Sequence, residues 1–64
     1  MSSAMPSSEI SRLARLWLEN HGDDAVALAR DMIAELEASG NDADAEMWRR
    51  IVVAIEKLRK ARRR

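Results

Sequence analysis

The amino-acid sequence predicts an all-α protein, built as an up-down-up bundle of three short helices. Three segments place apolar residues at intervals of three and four, the spacing of one helical face. A glycine follows each of the first two segments, and Ser, Asp or Asn precedes all three, as at helix ends and starts. Connections of about three to five residues are short enough to turn consecutive helices back on each other.

The first helix is expected over residues 9–20. Residues 1–7 are rich in serine and lack periodicity, which predicts a disordered leader, with Ser7 or Ser8 as the N-cap. Leu16 lies off the apolar stripe, and Gly22 ends the helix. The stripe consists of Ile10, Leu13, Ala14, Trp17 and Leu18.

The second helix is expected over residues 24–38, with Asp23 as its N-cap and Ser39-Gly40 at its end. Its apolar face consists of Ala25, Leu28, Ala29, Met32, Ile33 and Leu36.

The third helix is expected over residues 43–60, capped by Asn41 or Asp42. Val52 widens its apolar stripe, and Val53 lies on the far side. The stripe consists of Met47, Trp48, Ile51, Ala54, Ile55 and Leu58. The predicted bundle therefore spans residues 8–60, and residues 61–64 form a basic tail.

The charge of the chain is divided along its length, although the formal net charge is zero. Residues 1–46 carry three arginines and ten acidic residues, a net charge of −7. Residues 47–64 carry eight basic residues and one acidic residue, a net charge of +7. Such asymmetry indicates a charged interaction partner or contacts between the two halves.

The composition excludes several classes of protein. The absence of cysteine removes disulfides, thiolate metal sites and a cysteine nucleophile. No apolar run approaches the roughly 18–20 residues of a membrane span. The first ten residues lack the basic and apolar regions of a signal peptide, so we expect a cytoplasmic protein.

Catalytic residues are not evident, and we expect neither an enzyme nor a cofactor or metal site. His21 is the only imidazole and lies in a predicted turn. We interpret it as a polar loop residue and not as a metal ligand, because a metal site needs several protein ligands. The serines lie in the leader, at caps or in a turn, without a base beside them. The acid pairs stand at helix starts, where carboxylates favour the helix dipole.

Protein–protein interaction is the function that the sequence favours. The predicted partner-binding face lies on helix three and consists of Trp48, Ile51, Val52 and Ile55. We expect Trp17 in the core, whereas Trp48 fits either the core or an exposed binding anchor. So small a core predicts a marginal monomer, and Leu16, Val52 and Val53 lie off the narrow stripes. A homodimer or an unidentified protein is the expected partner.

The alternative is a nucleic-acid accessory protein that contacts phosphates through its basic C-terminal end. Cations at a helix C-terminus also have ordinary roles in dipole stabilisation and solubility. A helix-turn-helix is excluded, because the expected recognition helix would begin with Asp42, Asp44 and Glu46. The expected phosphate contacts are Lys57, Arg59, Lys60, Arg62, Arg63 and Arg64.

One pattern covers about half of the chain. It comprises Gly22-Asp23-Asp24-Ala25, then Ile33, Leu36 and Gly40, then Trp48-Arg49-Arg50-Ile51 and Ala54-Ile55-Glu56-Lys57-Leu58. This pattern resembles a group of short alphaproteobacterial helical proteins that form a domain of unknown function. The resemblance implies a bacterial, cytoplasmic, all-helical protein and brings no activity or functional residues with it.

Overall fold

The computed structural model describes residues 7–62, and every regular element in that range is helical. The helices are α1 (Ser7–His21), α2 (Ala25–Ala38) and α3 (Asp42–Arg62), and a short 3₁₀ turn (Gly22–Asp24) joins α1 to α2. The all-α class predicted from the periodicity is therefore confirmed. Most of the predicted leader lies outside the described residues, as do Arg63 and Arg64.

The helix boundaries differ from the predicted ones by one or two residues at every end except the C-terminus of α2. Ser7 is the first residue of α1, so it does not belong to a leader. The 3₁₀ turn moves the N-cap of α2 from Asp23 to Asp24, whose side chain makes no capping hydrogen bond. α3 continues to Arg62, because alanine, lysine and arginine favour helix and cations stabilise a helix C-terminus.

Both glycines end their helices in the left-handed conformation, as predicted. Gly22 has φ +57° and Gly40 has φ +78°. After α2 the Gly40 N–H donates to the Glu37 carbonyl at 3.1 Å, and the Asn41 N–H donates to the Leu36 carbonyl at 2.8 Å. These two bonds form a Schellman motif, which satisfies carbonyls that a helix end leaves without partners.

α3 lies between the other two helices. It packs against both α1 and α2, whereas α1 and α2 contact each other much less. Arg30 pairs with Glu56 at 3.5 Å, and Glu37 pairs with Arg49. Along α2 the paired residues run from 30 to 37, while their partners on α3 run from 56 back to 49. These two helices are therefore antiparallel.

The core is small and contains many alanines. Among the large buried side chains of residues 7–62, Ile51 and Ile55 alone are fully enclosed. Alanine allows helices to approach closely but removes little apolar area from water. The buried residues are Ile10, Ala14, Leu18, Ala25, Ala29, Ala45, Ile51, Val52 and Ile55.

We predict that Gly40→Ala lowers the free energy of unfolding by about 1–2 kcal/mol. A Cβ at Gly40 meets no atom within 4 Å, so the cost comes from the positive φ and not from a clash. Urea denaturation followed by circular dichroism measures the change. Gly40→Asn is the matched control, because asparagine tolerates this conformation better. Equal losses for both variants would contradict the prediction.

Candidate functional site

The structure buries three of the four residues predicted to form the partner-binding face. Ile51, Val52 and Ile55 have exposed fractions of 1%, 7% and 0%. All three belong to the core formed with α1 and α2, so they do not form an exposed binding face, and that part of the prediction needs correction. The apolar stripe of α3 is wide because α3 packs against a helix on either side.

Trp17 and Trp48 lie at the junction of the helices. The Trp17 indole N–H donates to the Ala25 carbonyl at 2.9 Å, which ties α1 to the start of α2. The Trp48 ring meets the Trp17 ring edge-on, with centroids 4.9 Å apart and an interplanar angle of 71°. Both side chains are half-buried against the core, as expected for Trp17.

His21 is the last residue of α1 and is not in a loop. Its ring lies 4.2 Å from the Trp17 ring, at an interplanar angle of 54°. The imidazole therefore packs against the Trp17 ring. Among residues 7–62, no cluster of three or more His, Cys, Asp or Glu side chains could hold a metal ion.

An apolar groove of about 280 Å³ opens between α1 and α3. Two leucines of its lining are exposed, Leu13 at 37% and Leu16 at 54%, and Asn20 is its single polar residue. We call it the α1–α3 groove; it is lined by Leu13, Leu16, Trp17, Asn20, Met47, Trp48 and Ile51. This surface can bind an apolar side chain and offers little hydrogen bonding.

One residue of this groove could be found from the sequence. Leu16 lies off the apolar stripe of α1, which indicates exposure. Leu13 and Met47 fall on their predicted stripes, so nothing in the pattern separated them from the core. They join Leu16 because α1 packs against α3 near Met47, Trp48 and Ile51.

The basic end of α3 is spread around the helix. Lys57 and Lys60 are exposed and line a shallow hollow with Val53, Glu56 and Arg59. Arg59 and Arg62 line a second hollow that also includes Asp23 from the turn between α1 and α2. In the described part of the chain, none of these four basic residues forms an ion pair with a carboxylate. Arg63 and Arg64 lie outside that part.

No helix in the described range is both long and apolar enough to cross a membrane. All the charged residues of α1, α2 and α3 lie at least partly in solvent, and the buried set is wholly apolar.

Comparison of the chain with protein-family models, with curated proteins and with solved structures gives no match. The resemblance to short alphaproteobacterial helical proteins stays a prediction.

We predict that Trp17→Phe destabilises the protein by about 1 kcal/mol more than Trp48→Phe. Both changes shrink an aromatic ring, but only Trp17 loses a hydrogen bond that joins two helices. Urea denaturation of the two variants gives the difference directly. Equal losses would show that the Trp17 hydrogen bond contributes nothing to stability.

Proposed function

We propose that this chain is a small, non-catalytic protein-interaction module of the cytoplasm that acts through the α1–α3 groove. The observation that carries the proposal is the continuity of the groove with two exposed leucines, Leu13 and Leu16. Burying a leucine side chain fully contributes about 1.5–3 kcal/mol, so covering both leucines makes a substantial contribution to the free energy of binding. Trp48 and Ile51 are the two residues of the predicted face that line this groove, and of these Ile51 is almost fully buried.

The groove is also held in shape before a partner arrives. The hydrogen bond from Trp17 to Ala25 and the edge contact with Trp48 fix one wall. A surface that is already ordered loses less side-chain entropy on binding. Tryptophan is enriched among the residues that contribute most to binding energy.

The other exposed apolar residues form weaker candidates. Val53 is 51% exposed, and its surroundings are the charged groups of Glu56, Lys57 and Lys60. Leu28, at 39%, lies on α2 and does not line the groove. Single exposed apolar side chains are common on soluble proteins, whereas a contiguous apolar patch marks a binding surface.

The basic end supports a second candidate, a nucleic-acid accessory function. Lys57 and Lys60 are exposed, and neither is paired with a carboxylate in the described range. Free cations of this kind bind phosphates without reading sequence. The acidic first turn of α3, with Asp42 and Asp44, keeps the other end of the helix away from a phosphate backbone.

The interaction proposal predicts that a photo-crosslinking amino acid at position 16 captures a protein in an extract of the native cell. The same amino acid at position 53 is the matched control, since Leu16 and Val53 are 54% and 51% exposed. Mass spectrometry identifies the product. We expect a position-16 product that position 53 does not give. Identical patterns at both positions would contradict the role of the groove.

The nucleic-acid candidate predicts that the chain binds a labelled short nucleic-acid duplex. Fluorescence anisotropy at about 50 and 200 mM salt measures this binding. The double variant Lys57→Gln, Lys60→Gln should weaken binding at least severalfold. Arg12→Gln, Arg15→Gln removes the same charge from exposed positions on α1 and is the matched control. An absence of binding at the lower salt, or equal losses from both pairs, would contradict this candidate.

A further inference from the structure

We infer that one exposed side of α3 binds along the phosphates of one strand of duplex DNA. The inference rests on the second candidate function, because it names the ligand and the contact surface of the same basic region. We call this surface the α3 stripe; it consists of Arg50, Val53, Lys57 and Lys60.

The three cations of the α3 stripe share one side of the helix. Arg50 and Lys57 are seven residues apart, close to two helical turns, so they point in nearly the same direction. Lys60 lies within about 80° of Arg50 around the helix axis, and the helix rises about 15 Å between them. All three are exposed, as is Val53 between them, at 51%. The stripe is therefore a linear cationic surface.

The acidic residues beside the stripe are already paired. Beyond its first turn α3 carries two acidic residues, Glu46 and Glu56. The Glu46 carboxylate accepts a hydrogen bond from Arg49 at 3.1 Å, and Glu56 pairs with Arg30 of α2 at 3.5 Å. Neither arginine belongs to the stripe, so the acidic residues are paired without using its cations.

The pairing of Glu56 with α2 leaves Lys60 available. Glu56 precedes Lys60 by four residues, the spacing at which glutamate and lysine attract each other along a helix. Glu56 pairs instead with Arg30, and Lys60 has no carboxylate partner within residues 7–62. Together with Arg50 and Lys57, these residues comprise four cations and one anion, a local net charge of +3.

The stripe fits a rigid ligand with closely spaced negative charges. Duplex DNA carries one negative charge per about 1.7 Å of its axis. A surface about 15 Å long therefore meets several phosphates. The major groove of B-form DNA is about 12 Å wide, which leaves room for an α-helix beside a strand. The major groove of an RNA duplex is too narrow for the same approach.

Other polyanions fit the stripe less well. Proteins that bind single strands stack the bases on aromatic side chains. The stripe has no aromatic member, since both tryptophans of the chain pack against the core. A helix that lies on an anionic membrane inserts bulky apolar side chains, whereas Val53 is the one apolar residue of the stripe. Asp42 lies on the same side at the start of α3, so the contact with DNA ends near Arg50.

The α3 stripe faces away from the α1–α3 groove. Met47, Trp48 and Ile51 are the residues of α3 that line the groove. Val53, at the centre of the stripe, lies about 160° around the helix from Ile51. A DNA duplex and a protein partner can therefore occupy the two surfaces at the same time.

Fluorescence anisotropy of a labelled DNA duplex, titrated with the purified full chain, tests the position of the surface. Val53→Asp places a negative charge at the centre of the stripe and should raise the Kd at least about tenfold at about 100 mM salt, where the screening distance is about 10 Å. Leu16→Asp is the matched control, since Leu16 and Val53 are 54% and 51% exposed. It should change the Kd less than about threefold. Circular dichroism verifies that both variants are helical.

The salt dependence of the Kd counts the phosphate contacts. Three contacts should weaken binding at least about 40-fold between about 50 and 200 mM salt. Arg50→Gln should lower the slope of log Kd against log salt concentration by about 0.9. Arg12→Gln removes the same charge from an exposed position on α1 and should leave the slope unchanged.

The role of Arg30 is tested by rescue. Arg30→Gln should weaken DNA binding, because it releases Glu56 to attract Lys60. The double variant Arg30→Gln, Glu56→Gln removes both members of the pair and should restore the original Kd. A double variant that binds no better than Arg30→Gln would contradict this role.

The inference and the candidate function fail in different ways. If Lys57→Gln, Lys60→Gln weakens DNA binding but Val53→Asp and Arg50→Gln act like their controls, the candidate function stands and the α3 stripe is wrong. An absence of binding at about 50 mM salt overturns both. Tighter binding of a single strand or of an RNA duplex of the same sequence overturns duplex DNA as the ligand. Binding to phosphatidylserine vesicles in place of DNA overturns it as well.

Discussion

Trp17 connects all three helices through one side chain. It belongs to α1, donates its indole hydrogen to Ala25 at the start of α2, and meets the edge of Trp48 on α3. A hydrogen bond contributes about 0.5–1.5 kcal/mol and an aromatic pair a similar amount. These are large contributions in a chain whose core contains two fully enclosed large side chains among the described residues. The wall of the α1–α3 groove depends on the same contacts.

The position of α3 between its neighbours determines which apolar residues remain available. Ile51, Val52 and Ile55 are used within the chain, and the exposed apolar surface moves to the edge where α1 meets α3. A helix that packs against neighbours on two sides needs a wide apolar stripe. Its sequence then resembles that of a helix with an exposed apolar face that is free to bind a partner. The same pattern therefore supports two interpretations until the neighbouring helices are placed.

Two ion pairs join α2 to α3, and both lie at the surface. Arg30 and Glu56 are 67% and 51% exposed as side chains, and such surface pairs contribute little free energy. Arg49 contacts both Glu37 and Glu46, which links the end of α2 to the start of α3. The first turn of α3 is acidic and its last turn is basic.

The sequence by itself determined the helical class, the approximate helix bounds and the two glycine stops, because periodicity and a positive φ are properties of short segments. It also placed Leu16, Val52 and Val53 off the narrow stripes, and of these Leu16 and Val53 are exposed whereas Val52 is buried. Tertiary structure alone decided that Ile51, Val52 and Ile55 are core and that Leu13, Met47 and Trp48 share a groove with Leu16. Those outcomes depend on which helix packs against which face, and residues more than thirty positions apart carry no local signal of their contact.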